Sequence, residues 1–186
     1  MKRHPSLHGL TVDHHHTLGL VVRINRSRPE EVESLARLLL LTYEQAMLHH
    51  FRGEEEVLLP AFAAKVGDDH PLIVRTLTEH IQIHRLANEI RKALRTNTVT
   101  EKLLTEIAQT LEAHVRFEEN ELFTAIETTL TDDELRAVME RLPIIDHTVK
   151  TEQGIIARYA VALANRNQRH SHLEEGDCRE PDKATA

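Results

Sequence analysis

Residues 50–60 of the chain read HFRGEEEVLLP, in which His50 and Glu54 stand four residues apart. Residues at this spacing lie on the same face of an α-helix, about one turn from each other. Apolar residues continue that face upstream at steps of three and four through Leu39 and Ala46, so the segment predicts a long amphipathic helix. A single His/Glu pair at this spacing is more often a surface ion pair than a pair of metal ligands. An unpaired imidazolium or carboxylate is costly on an apolar face, however, and metal coordination would satisfy both groups.

Three other stretches of this chain, which has 14 histidines, carry ligand-type residues at helical spacing on separate predicted helices. They are Asp13-His14-His15-His16, His80-x-x-x-His84 and His114-x-x-x-Glu118. Apolar residues on the same stripes are expected to face the core with them, among them Leu77, Ile81, Leu111 and Leu122. Imidazoles and carboxylates converging from four helices are what a pair of transition-metal ions needs inside a helical bundle.

The apolar periodicity and the capping signals predict four helices over residues 11–130. The first is expected from Thr11 or Val12 to Asn25, the second from about Pro29 to Val66, the third from Asp69 to Arg95 and the fourth from Thr100 to Thr129. Pro60 is expected to kink or end the second helix, because proline lacks a backbone N–H. No segment reads as a strand, so the predicted fold class is all-α, an up-down-up-down four-helix bundle.

The segments on either side are predicted to lie outside this bundle. Residues 1–10 are expected to form an extended lead-in, interrupted by Pro5 and Gly9. Residues 131–167 are predicted to form an additional C-terminal helix, which opens with a capping box and is broken near Pro143. Residues 168–186 are polar and lack periodicity, so they are predicted to be disordered. This tail holds the single cysteine, Cys178, which has no partner for an internal disulfide.

The separations of the motifs from the predicted turns indicate whether the motifs meet. The number of residues from Glu54 to the turn at Gly67 is nearly the same as the number from this turn to His80. The same is true of His84 and His114 on either side of the turn at residues 96–100. At a rise of about 1.5 Å per residue, each of these arms climbs roughly 16 to 21 Å from its turn. Three motifs are therefore expected at one height. The arm from Pro29 to His50 is much longer than the arm from His14 to Ser27, which predicts a longer connection at residues 25–33.

Charge and composition exclude several function classes. The formal net charge of −7, with histidine neutral, argues against a nucleic-acid or anionic-membrane surface. No apolar run approaches the length needed to cross a bilayer, and Met1–Thr11 lacks the apolar region of a secretory signal. We therefore expect a cytoplasmic protein with neither nucleic-acid nor membrane partners.

The chemistry of the candidate ligands narrows the metal. They comprise imidazoles and carboxylates but no thiolate, which argues against structural zinc and iron–sulfur clusters. Nitrogen-rich coordination with two carboxylates suits iron, manganese, zinc or copper, whereas magnesium and calcium prefer oxygen ligands. Seven ligands are too many for one ion with an open position and suit two ions. The seven are one histidine of residues 14–16 together with His50, Glu54, His80, His84, His114 and Glu118. The two carboxylates are the expected bridges because each offers two oxygens.

Over about residues 10–130, these motifs resemble those of the hemerythrin-like family, the HHE cation-binding domain. The resemblance implies a four-helix bundle with a non-haem di-iron centre, whose two irons are bridged by an oxygen species and two carboxylates. Transferred residue by residue, it implies that His80, His84 and His114 hold one iron. It further implies that His14 and His50 hold the other, which keeps an open position, and that Glu54 and Glu118 bridge the two.

The first-helix ligand has two candidates. His14 is favoured over its neighbour His15, because Leu18 and Val21 share the face of His14. His16 is interpreted as a solvated residue or as one that supports a ligand.

The ligand on the fourth helix also has two candidates. The oxygen carriers of the family place an aspartate five residues after a histidine, whereas this chain has Glu118 at four residues and Glu119 at five. The HHE branch uses the glutamate at four, which favours Glu118. Tyr43, seven residues before His50, falls on the ligand face and is interpreted either as a core residue or as a donor to a bound oxygen species. Phe51 and Phe117 are predicted to pack around the site.

The resemblance favours a metal-binding protein that binds or senses oxygen, nitric oxide or peroxide, so that the partner is a small diatomic ligand or peroxide. Zinc and manganese are the alternatives to iron in a purified sample. A di-iron enzyme (catalase-like, an oxidase or an iron–sulfur repair factor) and a structural or regulatory metal-binding bundle are the alternative functions. No acid/base pair stands out beyond the ligands, which favours a module that is not a dedicated enzyme. Apolar residues between 144 and 163 exceed what a four-helix core needs, and they predict a covering helix or a homodimer contact.

Overall fold

Helices form almost all of residues 3–142, the part of the chain that the computed structural model describes, and no β-strand occurs in that range. The first long helix, α1, spans His8–Asn25 and follows a 3-10 turn at Pro5–Leu7. A second 3-10 turn at Pro29–Glu31 leads into a long helical run. This second run comprises α2 (Val32–Thr42), α3 (Leu48–Gly53) and α4 (Leu59–Val66), joined by π-helical segments at Tyr43–Met47 and Glu54–Leu58.

The third and fourth runs repeat this up-and-down course. The third run is the single helix α5, Pro71–Thr96. The fourth comprises α6 (Glu101–Phe117), the π-helical segment Glu118–Leu122 and α7 (Phe123–Thr129), after which α8 follows at Asp132–Arg141. Helix α1 packs against α6, α6 against α5, α5 against α2 and α2 against α1. The predicted all-α bundle is therefore confirmed.

Short polar signals set the turns between the runs. Gly67 ends α4 with a φ of 94°, a conformation that residues with a side chain rarely adopt. Asn97 ends α5 in the left-handed region with a φ of 54°, as asparagine tolerates. The Thr100 side chain then accepts a hydrogen bond from the Leu103 backbone N–H and caps α6. Each turn is short, so consecutive runs lie antiparallel.

Two expected features of the chain course differ in the structure. The lead-in is helical from Pro5 onward instead of extended to residue 10, because Leu7 and Leu10 are buried among apolar side chains. Of the two effects expected of Pro60, an end of the second run does not occur, because the run continues to Val66; a kink stays a prediction. Pro60 is the second residue of α4, in the turn that follows a π-helical segment, where the hydrogen-bond register changes and a residue without an N–H is tolerated.

The core consists of two apolar clusters. One is formed mainly by the parts of α1, α2, α5 and α6 near the first and third turns, and it includes Phe51 and Tyr43. The other joins the N-terminal turn, α4, α7 and α8, and it includes Phe62, Phe117 and Phe123.

The inward face of α5 is displaced by one position from the predicted face. Its buried side chains are Ile73, Thr76, His80, Ile83, Leu86, Ala87 and Ile90. Leu77 and Ile81, which were expected to face the core, are 38% and 68% exposed, so that prediction is wrong. Leu111 and Leu122 are buried as expected.

Helix α8 begins with the predicted capping box, in which Thr131 and Glu134 bond each other's backbone N–H. Glu134 also pairs with Lys65 of α4 at 2.7 Å. The helix ends at Arg141, and Leu142 is extended with a ψ of 135°, as a residue before proline prefers. The rest of the predicted C-terminal helix, the tail with Cys178 and the proposed dimer contact lie outside the described residues. Within residues 3–142, no helix has the length and hydropathy to cross a membrane.

Candidate metal centre

Six of the seven predicted ligands converge at the middle of the bundle in two groups. The first group comprises His14, His50, Glu54 and Glu118, and the second comprises Glu54, His80, His114 and Glu118. In each group, one potential ligand atom per residue lies within 4.8 Å of the others, and all of these residues are buried. We call His14, His50, His80 and His114 the central histidines, and Glu54 and Glu118 the central glutamates. Both glutamates belong to both groups, as bridging carboxylates do.

The backbone places each central glutamate where an α-helix gives way to a π-helical segment. The α-helical spacing holds Glu54 one turn after His50 and Glu118 one turn after His114. The π-helical segments then begin at these glutamates and add an extra residue to the turn. π-Helical turns occur often at functional sites, and both of these lie at the centre.

Each central glutamate lies between one histidine of the first group and one of the second. The Glu54 carboxylate oxygens lie 3.2 Å from the Nε2 of His50 and 3.3 Å from that of His80. The Oε2 of Glu118 lies 3.1 Å from the Nε2 of His14 and 3.3 Å from that of His114. Metal–ligand bonds of about 2.0 to 2.2 Å leave neighbouring ligand atoms roughly 3 Å apart, which is the separation found here.

The outer nitrogen of every central histidine contacts a carboxylate. The Nδ1 atoms of His14, His50, His80 and His114 lie 2.8, 3.2, 2.7 and 2.9 Å from oxygens of Glu119, Asp13, Glu55 and Glu79, respectively. We call these four acids the outer carboxylates. An ionised carboxylate only accepts hydrogen bonds, so Nδ1 is the donor, and in the neutral ring the Nε2 lone pair faces the centre.

The inward-facing atoms fit a cation and little else. Both oxygens of each central glutamate and the Nε2 atoms of His80 and His114 are buried without a hydrogen-bond partner. The Nε2 atoms of His14 and His50 lie 3.1 Å apart, where two lone pairs repel each other. Buried polar groups are normally satisfied, and a positive charge between these atoms would satisfy all of them.

Protons can serve as that positive charge. Burial would lower the pKa of His80, but the surrounding carboxylates of Glu118, Glu54 and Glu55 raise it to about 11. Burial opposes protonation of His14 as well, but the nearby carboxylates of Glu118 and Glu119 raise its pKa above the ordinary value. Ligand histidines must lose the Nε2 proton to bind a metal, so metal ions and protons compete for this centre.

Two outer carboxylates are held by arginines. Glu119 accepts a hydrogen bond from Arg3, which also contacts Glu127 and lies over the ring of Phe123. Burial would raise the pKa of Glu119, but its bonds with His14 and Arg3 lower it to about 2.

Glu79 is held in the same manner by Arg75, whose Nε lies 2.8 Å from it. The guanidinium carbon of Arg75 lies 3.7 Å from the ring centre of Phe117. Glu119 and Glu79 are therefore held in place, and the pKa of each carboxyl group is lowered toward the charged form.

His84 is the predicted ligand that neither group contains. Its Nδ1 lies 2.6 Å from the Tyr43 hydroxyl, and its side chain is partly exposed. Burial lowers the pKa of His84 and favours the neutral ring. In the tautomer without a proton on Nδ1, this ring accepts a hydrogen bond from the Tyr43 hydroxyl. The ring of Phe51 stacks on His80 at 4.1 Å and meets His84 edge-on at 5.6 Å. Phe51 packs beside the centre as predicted, and Tyr43 is a buried core residue whose hydroxyl contacts His84 and no central residue.

The structure shows which residue faces the centre in each of the two pairs of candidates, His14 or His15 and Glu118 or Glu119. His14 is buried and belongs to the first group, whereas His15 and His16 are exposed. Glu118 is fully buried at the centre, and Glu119 contacts the outer nitrogen of His14 instead. His14 therefore reaches the centre even though the arm from His14 to Ser27 is much shorter than the arm from Pro29 to His50.

The outer carboxylates are the part of the centre that sequence reasoning missed. Their signal was present, since Asp13 and Glu79 each precede a central histidine and Glu55 and Glu119 each follow a central glutamate. A helical wheel assigns such neighbours to the flank of the inward face, where they reach an adjacent helix. In metal sites, a carboxylate that accepts a hydrogen bond from the outer nitrogen of a histidine ligand commonly orients the ring.

Comparison with known proteins agrees with this geometry. Residues 6–126 match the family model described as the hemerythrin HHE cation binding domain. Neither the curated proteins nor the solved structures contain a match. The matched range covers more than half of the chain and includes all six residues that converge at the centre. The protein therefore belongs to the hemerythrin family of HHE cation-binding domains.

Proposed function

We propose that the centre binds two iron ions and that the protein uses them to bind or sense oxygen, nitric oxide or peroxide. The first group would hold one ion and the second group the other, with Glu54 and Glu118 shared between them. The single observation that carries this proposal is the convergence of inward-facing atoms without hydrogen-bond partners from two buried glutamates and two buried histidines. Such a set is expensive to bury unless cations bind it.

The donor chemistry supports iron. The described centre offers imidazole nitrogens and carboxylate oxygens, a combination that suits iron, manganese and zinc. The family match is to a cation-binding domain of the hemerythrin type. Zinc or manganese in a purified sample would be a substitute for the ion that functions in the cell.

The residues of the chain would prepare the centre for its ions. Bound iron supplies changes of oxidation state and coordination positions for a small ligand. The outer carboxylates hold each histidine in the tautomer that directs Nε2 inward. The central glutamates offset the charge of the cations. Phe51 and Phe123 pack against the histidine rings and exclude water from that side.

Anaerobic reconstitution tests the proposal. The metal-free protein is loaded with ferrous iron, the metal content is measured, and optical spectra are recorded before and after addition of oxygen, nitric oxide or peroxide. We expect two irons per chain and a reversible spectral change with at least one of these ligands. Irreversible consumption of peroxide or oxygen would favour the alternative of an enzyme. A protein that takes up no iron, or whose spectrum is unaffected by all three ligands, contradicts the proposal.

A matched pair of variants links the result to this centre. His14→Ala removes a central histidine, and His15→Ala removes its exposed neighbour on the same helix. We expect His14→Ala to lose iron from one group, whereas His15→Ala should retain the stoichiometry and the spectrum of the unmodified protein. Equal behaviour of the two variants would exclude the first group as a site.

A further inference from the structure

The outer carboxylates connect the four helical runs in a closed cycle. His50 of the second run contacts Asp13 of the first, and His14 of the first contacts Glu119 of the fourth. The cycle closes through the remaining two contacts: His114 of the fourth run contacts Glu79 of the third, and His80 of the third contacts Glu55 of the second. Every run therefore gives one imidazole N–H to a neighbour and accepts one from the other neighbour.

Two of these contacts lie within a group and two lie between the groups. His50 and Asp13 belong to the runs that carry the histidines of the first group, and His114 and Glu79 to the runs that carry those of the second. The contacts of His14 with Glu119 and of His80 with Glu55 instead join a run of one group to a run of the other. The cycle thus alternates between links of the two kinds.

The between-group carboxylates stand directly beside the shared ligands. Glu55 follows Glu54, and Glu119 follows Glu118, at the start of the π-helical segments. A change in the position of either outer carboxylate is therefore transmitted to the adjacent central glutamate through a single peptide unit. Glu119 is additionally held by Arg3, which limits its freedom to move alone.

A cation at Nε2 strengthens the hydrogen bond that the same ring donates from Nδ1, because it withdraws electrons from the imidazole. Filling the first group therefore tightens the contact of His14 with Glu119 and holds the turn that contains Glu118. Filling the second group tightens the contact of His80 with Glu55 and holds the turn that contains Glu54. Each event prepares a carboxylate that the other group needs.

We propose that Glu55 and Glu119 are positioning residues that couple the two groups, so that binding of one ion raises the affinity for the second. The proposal rests on the two-ion site proposed above. The within-group carboxylates Asp13 and Glu79 orient their histidines without this coupling. Coupling between two sites is reciprocal and typically changes affinity by about 5- to 150-fold.

The test is a titration of the full-length, metal-free protein with Co²⁺, followed by its optical absorption and by calorimetry. The affinity of each group alone is measured in His114→Ala, which disables the second group, and in His50→Ala, which disables the first. Both substitutions leave the between-group contacts in place. The coupling factor is the overall two-ion constant divided by the product of the two single-group constants. We expect a factor of about fivefold or more in the otherwise unmodified protein.

The same factor is then measured with each outer carboxylate replaced by its isosteric amide. Glu55→Gln and Glu119→Gln should reduce the coupling factor toward one. Asp13→Asn and Glu79→Gln are the matched controls, since they remove the same charge from the same shell, and they should weaken one group while preserving the coupling factor. Circular dichroism of the metal-free variants checks the fold. Glu55→Asp, which keeps the charge but shortens the side chain, gives a second measurement if an amide variant fails to fold.

The outcomes separate this proposal from the one on which it rests. Binding of fewer than two Co²⁺ ions by the unmodified protein contradicts the two-ion site itself. Binding of two ions with a coupling factor that is unchanged in Glu55→Gln and Glu119→Gln overturns only the coupling proposal. An equal loss of coupling in the within-group controls overturns it as well, because the effect would then come from charge alone.

Discussion

Substitution of Phe51 can separate the contribution of a buried ring to the stability of the bundle from its contribution to metal affinity at the centre. The ring of Phe51 is buried, stacks on His80 at 4.1 Å and makes edge contacts with His84 and His114. Phe62 is a ring of the same size that is equally buried, but it lies in the other core cluster and meets no central histidine. The two rings therefore form a matched pair in burial and differ in contact with the centre.

We expect Phe51→Ala and Phe62→Ala to lower the free energy of unfolding of the metal-free protein by similar amounts. A fully buried Phe→Ala substitution costs about 3 to 5 kcal/mol through lost transfer energy and the cavity left behind. For a chain of this length, that loss corresponds to a decrease in Tm of roughly 6 to 20 °C. Urea unfolding in the presence of a chelator, followed by circular dichroism, measures both values.

Only Phe51→Ala should also weaken metal binding. A stacked aromatic pair contributes about 0.5 to 1.5 kcal/mol beyond its buried area, and its loss frees the His80 ring to leave the orientation that directs Nε2 inward. The corresponding loss of affinity in the second group is at most about tenfold, measured by competition with a chelator under conditions where both variants are folded. The reasoning is refuted if Phe62→Ala weakens metal binding as much, or if Phe51→Ala lowers stability by less than about 1 kcal/mol.

Three further outcomes follow from the same geometry. His80→Ala should reduce metal binding from two ions to one per chain, whereas the control His49→Ala, which replaces the exposed neighbour of His50, should retain both. Metal analysis after desalting distinguishes the two variants. An unchanged stoichiometry in His80→Ala rules out the second group. Because the pKa of His80 is raised from its ordinary 6.5 to about 11, its protonation stabilises the metal-free fold fully below pH 6.5, and that stabilisation is lost as the pH rises through 11. Urea unfolding with chelator present should therefore show stability falling from pH 7 to pH 10, and a rise over that range would contradict the assignment. Gly67→Ala should destabilise by about 1 to 3 kcal/mol because of the positive φ, whereas Gly19→Ala, within α1 and with open space at the Cβ position, should stabilise by roughly 0.5 to 1 kcal/mol; thermal unfolding that gave both the same sign would contradict the backbone argument.

Helical periodicity predicted most of the converging side chains because the candidate ligands lie on helix faces that must also be apolar. His50 with Glu54 and His114 with Glu118 are one turn apart in sequence and in the structure. The choice of His14 over His15 rested on apolar neighbours of the same face, and burial follows that face. The sequence therefore located the converging side chains where helical spacing and burial follow the same face.

The face of α5 could not be chosen from its sequence. One stripe runs through Ile73, His80 and Ile83, and the next, one position further on, runs through Leu77 and Ile81. Both stripes are apolar at helical spacing and both contain a histidine, so periodicity fits either. Packing against α6 and α2 selects the first stripe, which leaves His84 at the edge beside Tyr43. The assignment of His84 as a ligand stays a prediction.

The π-helical segments had no sequence signal that could be used in advance. A π-helical turn is marginal by itself and persists only where tertiary contacts hold it. In the segments Glu54–Leu58 and Glu118–Leu122, the contacts of Glu55 and Glu119 with histidines on neighbouring runs provide such tertiary contacts. Local propensity contains no information about partners that are distant along the chain.

The arrangement of the centre has a pseudo-two-fold symmetry that its spacing conceals. Asp13-His14 followed by His50-x-x-x-Glu54-Glu55 corresponds to Glu79-His80 followed by His114-x-x-x-Glu118-Glu119. The separation between the two histidines differs slightly from one set to the other. A search for a sequence repeat of fixed period therefore does not detect the two sets.

Each helical hairpin of the bundle therefore supplies an equivalent share of the centre: two imidazoles, one shared carboxylate and two outer acids. Under the two-ion proposal, neither hairpin would hold a complete ligand set for even one ion without the glutamate of the other. The candidate metal centre thus makes two similar helical hairpins interdependent, and we expect a chain truncated after the first hairpin to lose both proposed ion positions at once.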